Sequence, residues 1–274
     1  MNPERPHLFD FRAARAARAR ASRIAGDRFL DDAALEGLVH RLSSVTRHFE
    51  HGLWLGPSLP DAIKSFARRW TLADFNEEEI LDAAPGFDLA LNLFSLQAIN
   101  DLPGAIIQIR RLLKPDGLFL GVLFGGATLN ELRQSFIAAE SEILDGVNPH
   151  VAPFADVRDM GALLQRAGFA LPVADVERLV VRYSFFPALV RDLRAHGQGN
   201  VLAARRRNFT GRRILMALHD HYARHHTQDG KLLATFETLY LTGWTPHESQ
   251  QQPLKPGSAK ARLSDVLGTI ERKV

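Results

Sequence analysis

The 274 residues include no cysteine. That removes disulfides, thiolate metal sites and a cysteine nucleophile. It suits a reducing compartment, and a cytoplasmic location is the expectation. No apolar run approaches the roughly 18 residues of a membrane-spanning helix, so no transmembrane segment is expected. An excess of one charge is also missing. Thirty-four Lys and Arg face thirty-one acids, a net +3, too even a balance to argue for nucleic acid as a partner. There is no HExxH and no GxSxG, and no carboxylate pair follows from spacing alone, so no catalytic residue is assigned. Hydrophobic residues at 46% and charged residues at 24% are those of a globular chain with a large core.

The most strongly patterned stretch is residues 87–126. Residues 89–96 form an apolar run broken only by Asn92 and Ser95, as in a strand buried on both faces. Asp101 can cap a helix and Pro103 suits its first turn. Leu102, Ala105, Ile106, Ile109, Leu112 and Leu113 then fall on one face. The helix should stop near Lys114, because Pro115 disfavours helical geometry before it and Asp116-Gly117 makes a turn. Residues 118–124 are a second apolar run. Strand, helix and strand over about forty residues make a βαβ unit of a parallel sheet.

This stretch resembles the second half of a class I S-adenosylmethionine (SAM) methyltransferase domain. The matching residues are Phe87-Asp88-Leu89, Ser95-Leu96, Asn100-Asp101-Leu102 and Leu113-Lys114-Pro115-Asp116-Gly117. Downstream, Gly125-Gly126, Thr128-Leu129-Asn130-Glu131-Leu132-Arg133, Pro149-His150-Val151-Ala152-Pro153-Phe154 and Gly243-Trp244-Thr245-Pro246-His247-Glu248-Ser249-Gln250 sharpen it. Together they are similar to bacterial relatives of the mitochondrial complex I assembly factor with a methyltransferase fold. They are also similar to biotin-pathway carrier-protein methyltransferases. The resemblance runs from about Leu8 to the C-terminal region and is weakest between His51 and Asp82. It implies a Rossmann-like α/β fold: a mainly parallel sheet with helices on both faces, an antiparallel final strand, and inserted helices between the fifth and sixth family strands. It implies SAM as cofactor and a small-molecule, carrier-linked or protein substrate. From the mitochondrial relative it also implies hydroxylation of a client arginine, or a protein partner in an assembly role.

The first half departs from that pattern. Residues 52–56 should be the first strand. Trp54 stands where relatives carry an acid. Gly56 is kept, but Pro57, Ser58, Leu59 and Pro60 replace the remaining glycines. Proline fixes φ and removes a donor, so the cradle for the cofactor is degraded. A helix over residues 62–69 can still follow. Only thirty residues, 57–86, separate Gly56 from Phe87, which is about one βαβ unit. One strand-helix unit is therefore expected to be missing, leaving six strands. Residues 70–74 look like the second strand. Asp74 lies eighteen positions after Gly56, close to the roughly 20-residue offset of a ribose-binding acid. Glu77 falls in the acidic corner where relatives read the adenine amine. A solvated acidic turn would explain Glu77, Glu78 and Glu79 equally well.

Elsewhere the pattern is helical at residues 9–23, which carry five arginines. That helix is a solvated helix, a lid over the cofactor, a surface for an acidic partner, or an Arg-rich leader, although Asp10 lies inside it. Helices are predicted over residues 30–48, 128–144, 156–167, 186–195 and 212–226. In the second of these, Thr128 and Glu131 make a capping box. Strands are predicted over 173–183 and 234–244. Among His219, His221, His225 and His226, His221 and His225 share a helix face, but a third ligand is wanting. A solvated helix end is the preferred reading, with no metal. Three regions are expected: an N-terminal helical segment (1–48), a methyltransferase-like domain (49–244, with a helical cap at 128–170) and a polar tail (245–274). Because ligands sit at the carboxyl ends of parallel strands, the candidate cofactor-binding residues are Gly56, Asp74, Glu77, Leu93, Ser95 and Gln97. Relatives often carry histidine where this chain has Gln97, so hydrogen bonding is kept and titration near neutral pH is lost.

Overall fold

Apolar runs without polar alternation need cover on both faces, and that requirement sets the architecture. In the computed structural model, which describes residues 7–24, 27–76, 79–80 and 83–251, two helices precede the sheet: α1 (Phe11–Ala21) and α2 (Phe29–Ser43). Strand β1 (Phe49–Leu55) leads through a single 3-10 turn (Asp61–Phe66) into β2 (Ala67–Ala73). A small hairpin, β3 (Phe75–Asn76) and β4 (Glu79–Ile80), precedes β5 (Phe87–Leu93). Helix α3 (Leu102–Leu112) and β6 (Leu113–Phe124) complete the βαβ unit. Then come α4 (Asn130–Ile143), α5 (Val157–Arg166), β7 (Ala170–Tyr183), α6 (Phe186–Ala195), α7 (Arg212–His225), the two-residue β8 (Thr227–Gln228) and β9 (Lys231–Trp244).

The sheet order is β2-β1-β5-β6-β9-β7, with β8 pairing off the path onto β9. Strands β2, β1, β5 and β6 are parallel neighbours. Strand β9 runs antiparallel to both β6 and β7, so five of the six strands on the path point one way. This is the expected six-strand doubly wound sheet with an antiparallel final strand. No α-helix lies between β1 and β5 among the described residues.

Two cores follow from the two faces. On one, α2, α4, α6 and α7 bury Leu38, Leu42, Leu189, Leu218 and Tyr222 against Trp54, Leu89, Leu91, Leu120 and Val122. On the other, α3 and α5 bury Ile106, Ile109, Leu163 and Leu164 against Leu53, Leu55, Ala90, Phe119 and Leu239. Strand β5 shows why its sequence does not alternate. Leu89 and Leu91 face one core and Ala90 faces the other, all fully buried.

Several expectations need correction. The helix predicted at 62–69 is a 3-10 turn followed by strand, because Ala67 onward is captured by β1 as a parallel partner. Strand β1 begins at Phe49 rather than Gly52, and β5 ends at Leu93 rather than Leu96. The capping box does not form. Leu129 is the residue before α4, in a left-handed conformation (φ 54°). Thr128 Oγ1 instead donates to Glu237 O and accepts from Glu237 N, both at 3.0 Å. Glu131 accepts from Thr235 N at 3.1 Å, so both side chains tie the start of α4 to β9. The 245–250 motif folds back on Asp116-Gly117, near the start of β6. Thr245 N donates to Gly117 O at 2.8 Å and Asp116 N donates to Thr245 O at 3.1 Å. The rest of the predicted tail lies outside the described residues.

Asp88 joins the two central strands at their starts. It is 6% exposed, and its two carboxylate oxygens accept from Glu50 N and His51 N, each at 2.9 Å. Replacing Asp88 with Ala strands both donors, and a charged hydrogen bond contributes about 1.5–3 kcal/mol. Asp88→Ala is therefore expected to lower unfolding stability in urea by at least about 2 kcal/mol. A loss under about 0.5 kcal/mol would show that solvent satisfies those amides.

Candidate functional site

In an open α/β sheet the ligand crevice lies where the strand order reverses, outside the carboxyl ends of the strands. Here the reversal falls between β1 and β5, and that crevice is bridged. Ser95 Oγ donates to Leu55 O at 3.0 Å, and the Asn92 amide touches the same hydroxyl. Gly56 N, the first amide beyond β1, donates to Ala73 O at 2.9 Å. Trp54 is 3% exposed and curls over Gly56: a Cβ built on that glycine would lie 2.8 Å from the indole Nε1. That Nε1 is buried without a hydrogen-bond partner among the described residues.

The other predicted residues scatter around this point. Asp74 sits just past β2, half-exposed. Its Oδ1 accepts from Phe75 N at 2.9 Å and lies 3.8 Å from the Arg18 guanidinium. Leu93 ends β5 and packs into the α2 side of the core. Gln97 Nε2 donates to Gln198 Oε1 at 2.5 Å, and Gln198 Nε2 donates to His196 O at 3.3 Å. Gln97 Oε1 is buried without a partner among the described residues. Glu77 lies outside the described residues.

Ser95 and Gln97 line an apolar cavity of about 280 Å³, whereas Gly56, Asp74 and Leu93 do not. It opens over the ends of β5 and β6. Phe94 and Phe124 form its floor, with ring centroids 4.3 Å apart and stacked. Leu132 and Phe136 of α4 and the segment 150–154 form one wall. Ala14 and Arg18 of α1 and residues 197–201 cover it. Helix α1 reaches this place because its buried face is all alanine, at positions 14, 17 and 21. That face packs closely on Gly197, whose left-handed φ of +69° favours glycine. Asn100 clamps the chain just before α1, accepting from Phe9 N at 2.8 Å. Two bulky lining residues, Phe94 (φ 56°) and Leu129 (φ 54°), hold left-handed backbone, which is strained for such side chains. Phe94 N donates to Val122 O at 2.9 Å and Leu129 N to Thr235 O at 2.7 Å, pinning both. Arg133 closes the base of the 150–154 segment by donating to Ala152 O at 3.1 Å. Burial pulls its guanidinium below the ordinary value.

Sequence reasoning did not find the Phe94–Phe124 floor or the pairing of Glu140 with His150. The loop carrying His150 was visible, but nothing in spacing shows that it folds back on α4.

S-adenosylmethionine, implied by the resemblance, needs open space and free backbone donors at the end of β1. The Gly56 amide is taken by Ala73, the space above it holds the Trp54 indole, and two prolines follow. The residues present do not fit the methionine end of that cofactor.

A doubly wound sheet of this order, with a cavity at the carboxyl ends of its central strands, defines a methyltransferase-like α/β protein. The chain belongs to the methyltransferase-domain family, whose profile matches residues 7–172. It is similar to the human protein named arginine-hydroxylase NDUFAF5, mitochondrial: 39% identical over 201 residues, 73% of this chain and 58% of that one. It is also similar to the malonyl-[acyl-carrier protein] O-methyltransferase of Laribacter hongkongensis: 38% identical over 192 residues, 70% of this chain and 62% of that one. The chain spans about half the length of the arginine-hydroxylase relatives it matches. Among solved structures, the YcgJ protein of Bacillus subtilis shares the fold, with a TM-score of 0.51 at 10% identity, covering 77% of this chain and 99% of that one.

The histidine cluster has a structural setting. His221 and His225 rings lie 4.5 Å apart, and His221 Nδ1 is 3.1 Å from the buried Ser135 Oγ. Among the described residues no group of three or more His, Asp or Glu side chains is placed to hold a metal ion. No helix among them is long and apolar enough to cross a membrane. Burial pulls both His221 and His226 below their ordinary values; His225 and Arg224 add to this at His221, whereas at His226 the Glu131 carboxylate opposes it. A histidine held neutral by the fold contributes fully above its unfolded value of about 6.5. That contribution is lost as pH falls below this value toward the folded one. The thermal midpoint should therefore drop as pH falls below about 6.5, and the drop should be shallower in His226→Gln. Calorimetric scans across that range check this, and an unchanged slope in the variant would refute it.

Proposed function

We propose that this chain is a divergent methyltransferase-like protein with weakened SAM binding. It works chiefly by binding a client or partner, as an assembly or scaffold factor that keeps the fold. The observation that carries this reading is the Trp54 indole lying over Gly56, beside an amide already used by Ala73. A methyltransferase positions nucleophile and methyl group and supplies little side-chain chemistry of its own. Damage to the cofactor seat therefore removes more of its power than the loss of any single polar group. About two backbone hydrogen bonds are forfeited at 57–60, each contributing roughly 0.5–1.5 kcal/mol, which weakens binding about ten- to hundredfold. Gly56, Asp74, Glu77, Leu93, Ser95 and Gln97 remain the residues that would surround the cofactor in this reading. A cytoplasmic location belongs to the same proposal.

Methyl transfer itself is the second reading. It is favoured by the 38% identity to a malonyl-carrier methyltransferase over 70% of the chain. Its substrate would be a carrier-linked acid, a quinone precursor or a protein side chain. The similarity to proteins named arginine-hydroxylase makes a client arginine a further candidate target.

Titration calorimetry with SAM separates the first two readings. A dissociation constant roughly ten- to hundredfold above the low-micromolar range is expected. Trp54→Asp combined with a glycine-rich replacement of residues 57–60 should tighten binding back toward that range. Low-micromolar binding by the unmodified chain would overturn the closed-seat reading and leave methyl transfer in its place.

A further inference from the structure

Glu140 and His150 form a pair beside the cavity that neither reading uses. Glu140, on α4, is 1% exposed. Its carboxylate accepts from Asn148 N at 2.6 Å and lies 2.8 Å from His150 Nε2. Burial pushes the Glu140 carboxyl up, but the Asn148 amide and His150 outweigh it and hold it below its ordinary value. An ionised carboxylate only accepts, so the proton between the two groups sits on Nε2. The imidazole plane is set by Phe136, stacked at 3.6 Å and 6°. Nδ1 has no hydrogen-bond partner among the described residues, and His150 lines this cavity as well as a shallower pocket beside it. In the neutral imidazole Nδ1 is then a fixed lone-pair acceptor.

We infer that His150 is the polar anchor of a ligand site in this cavity. The ligand class is a neutral, flat aromatic hydroxyl compound, whose O–H donates to His150 Nδ1. The walls argue for a ring. Phe94 and Phe124 stack at 4.3 Å, and Phe154 meets Phe124 edge-on at 5.8 Å, an arrangement that offers both ring faces and ring edges. A volume of about 280 Å³ falls just under the range of drug-sized sites and suits about two fused rings. A cationic head is disfavoured, because Arg18 and Arg194 stand at the opening and the Glu140 carboxylate is already engaged. A carboxylate would stay near those arginines, which are solvated: the Arg18 side chain is 33% exposed and Arg194 is exposed. His150 offers an acceptor away from those arginines, and a neutral hydroxyl meets it without desolvating a charge. This inference concerns the cavity and holds whether or not SAM binds.

Calorimetry on the full chain without SAM tests it with three probes: 2-naphthol, 2-methoxynaphthalene and 2-naphthoate. One neutral hydrogen bond changes affinity by roughly two- to tenfold. The naphthol is therefore expected to bind up to about tenfold more tightly than its methyl ether, which has the ring but no donor. His150→Phe keeps the stack on Phe136 and should abolish that preference while leaving the ether's affinity in place. Because that variant removes a partner of a buried carboxylate, Glu140→Gln provides a second route. Its oxygen still serves Asn148 N, and its amide donates to Nε2, which forces the ring proton onto Nδ1. The naphthol preference should disappear there too, while ether binding persists. Equal binding of naphthol and ether by the unmodified chain would overturn the proposal. So would a preference that survives in both variants. Tightest binding of the naphthoate, lost in Arg18→Gln, would replace the hydroxyl class with an anion held at the opening.

Discussion

The direct pairing of β1 with β5 is the constraint on which the rest of the structure depends. Asp88 hooks the two strands together at their starts through the amides of residues 50 and 51. Four ladder positions, Gly52 to Leu55 against Leu89 to Asn92, carry the pairing to the far end. With these strands in register, the reversal of strand order has a fixed place. Helix α3 after β5 and α4 after β6 then pack on opposite faces, and the carboxyl ends of β5 and β6 become the floor of the cavity. The same pairing brings Leu55 O within reach of Ser95, so the fold's usual crevice is closed by the interaction that defines it.

Much of the second half was legible because local signals agreed with one another. Asp101 caps α3 by accepting from Gly104 N at 2.9 Å, and α6 begins and ends where the residues say it should. The missing strand-helix unit was legible by length alone. Three other things were not. Residues 67–69 are helix-tolerant, and only a partner strand could turn them extended. Thr128 and Glu131 have the spacing of a capping box, yet β9 offers the same oxygens buried partners, and tertiary contact outweighs a local motif. The cavity escaped because it is assembled from Phe94, Phe124, Phe136 and Phe154, which lie on separate segments and look like core. Of the predicted site residues, Ser95 and Gln97 reach that cavity. Gly56 and Asp74 lie just past the ends of β1 and β2, and their partners are Ala73, Phe75 and Arg18.

The two ends of the sheet are built differently. At the carboxyl ends, α1, α4 and residues 150–154 enclose an apolar space held open by strained backbone at Phe94 and Leu129. That strain is sustained by hydrogen bonds into β6 and β9.

At the opposite end, the segment after β9 returns to Asp116-Gly117, near the start of β6. Thr245 gives its N–H to Gly117 and takes the N–H of Asp116, while Gln250 Nε2 donates to Asp116 Oδ1 at 2.9 Å. These bonds lie one step beyond the Leu118–Trp244 pair that begins the β6–β9 ladder. A slip of β9 by one residue would break them together and would also exchange the two faces of the strand, turning Leu239 and Leu241 out of one core and Tyr240 out of the other. The clasp thus acts as a register stop: it leaves the longest antiparallel strand one way to seat, and it does so from outside the sheet.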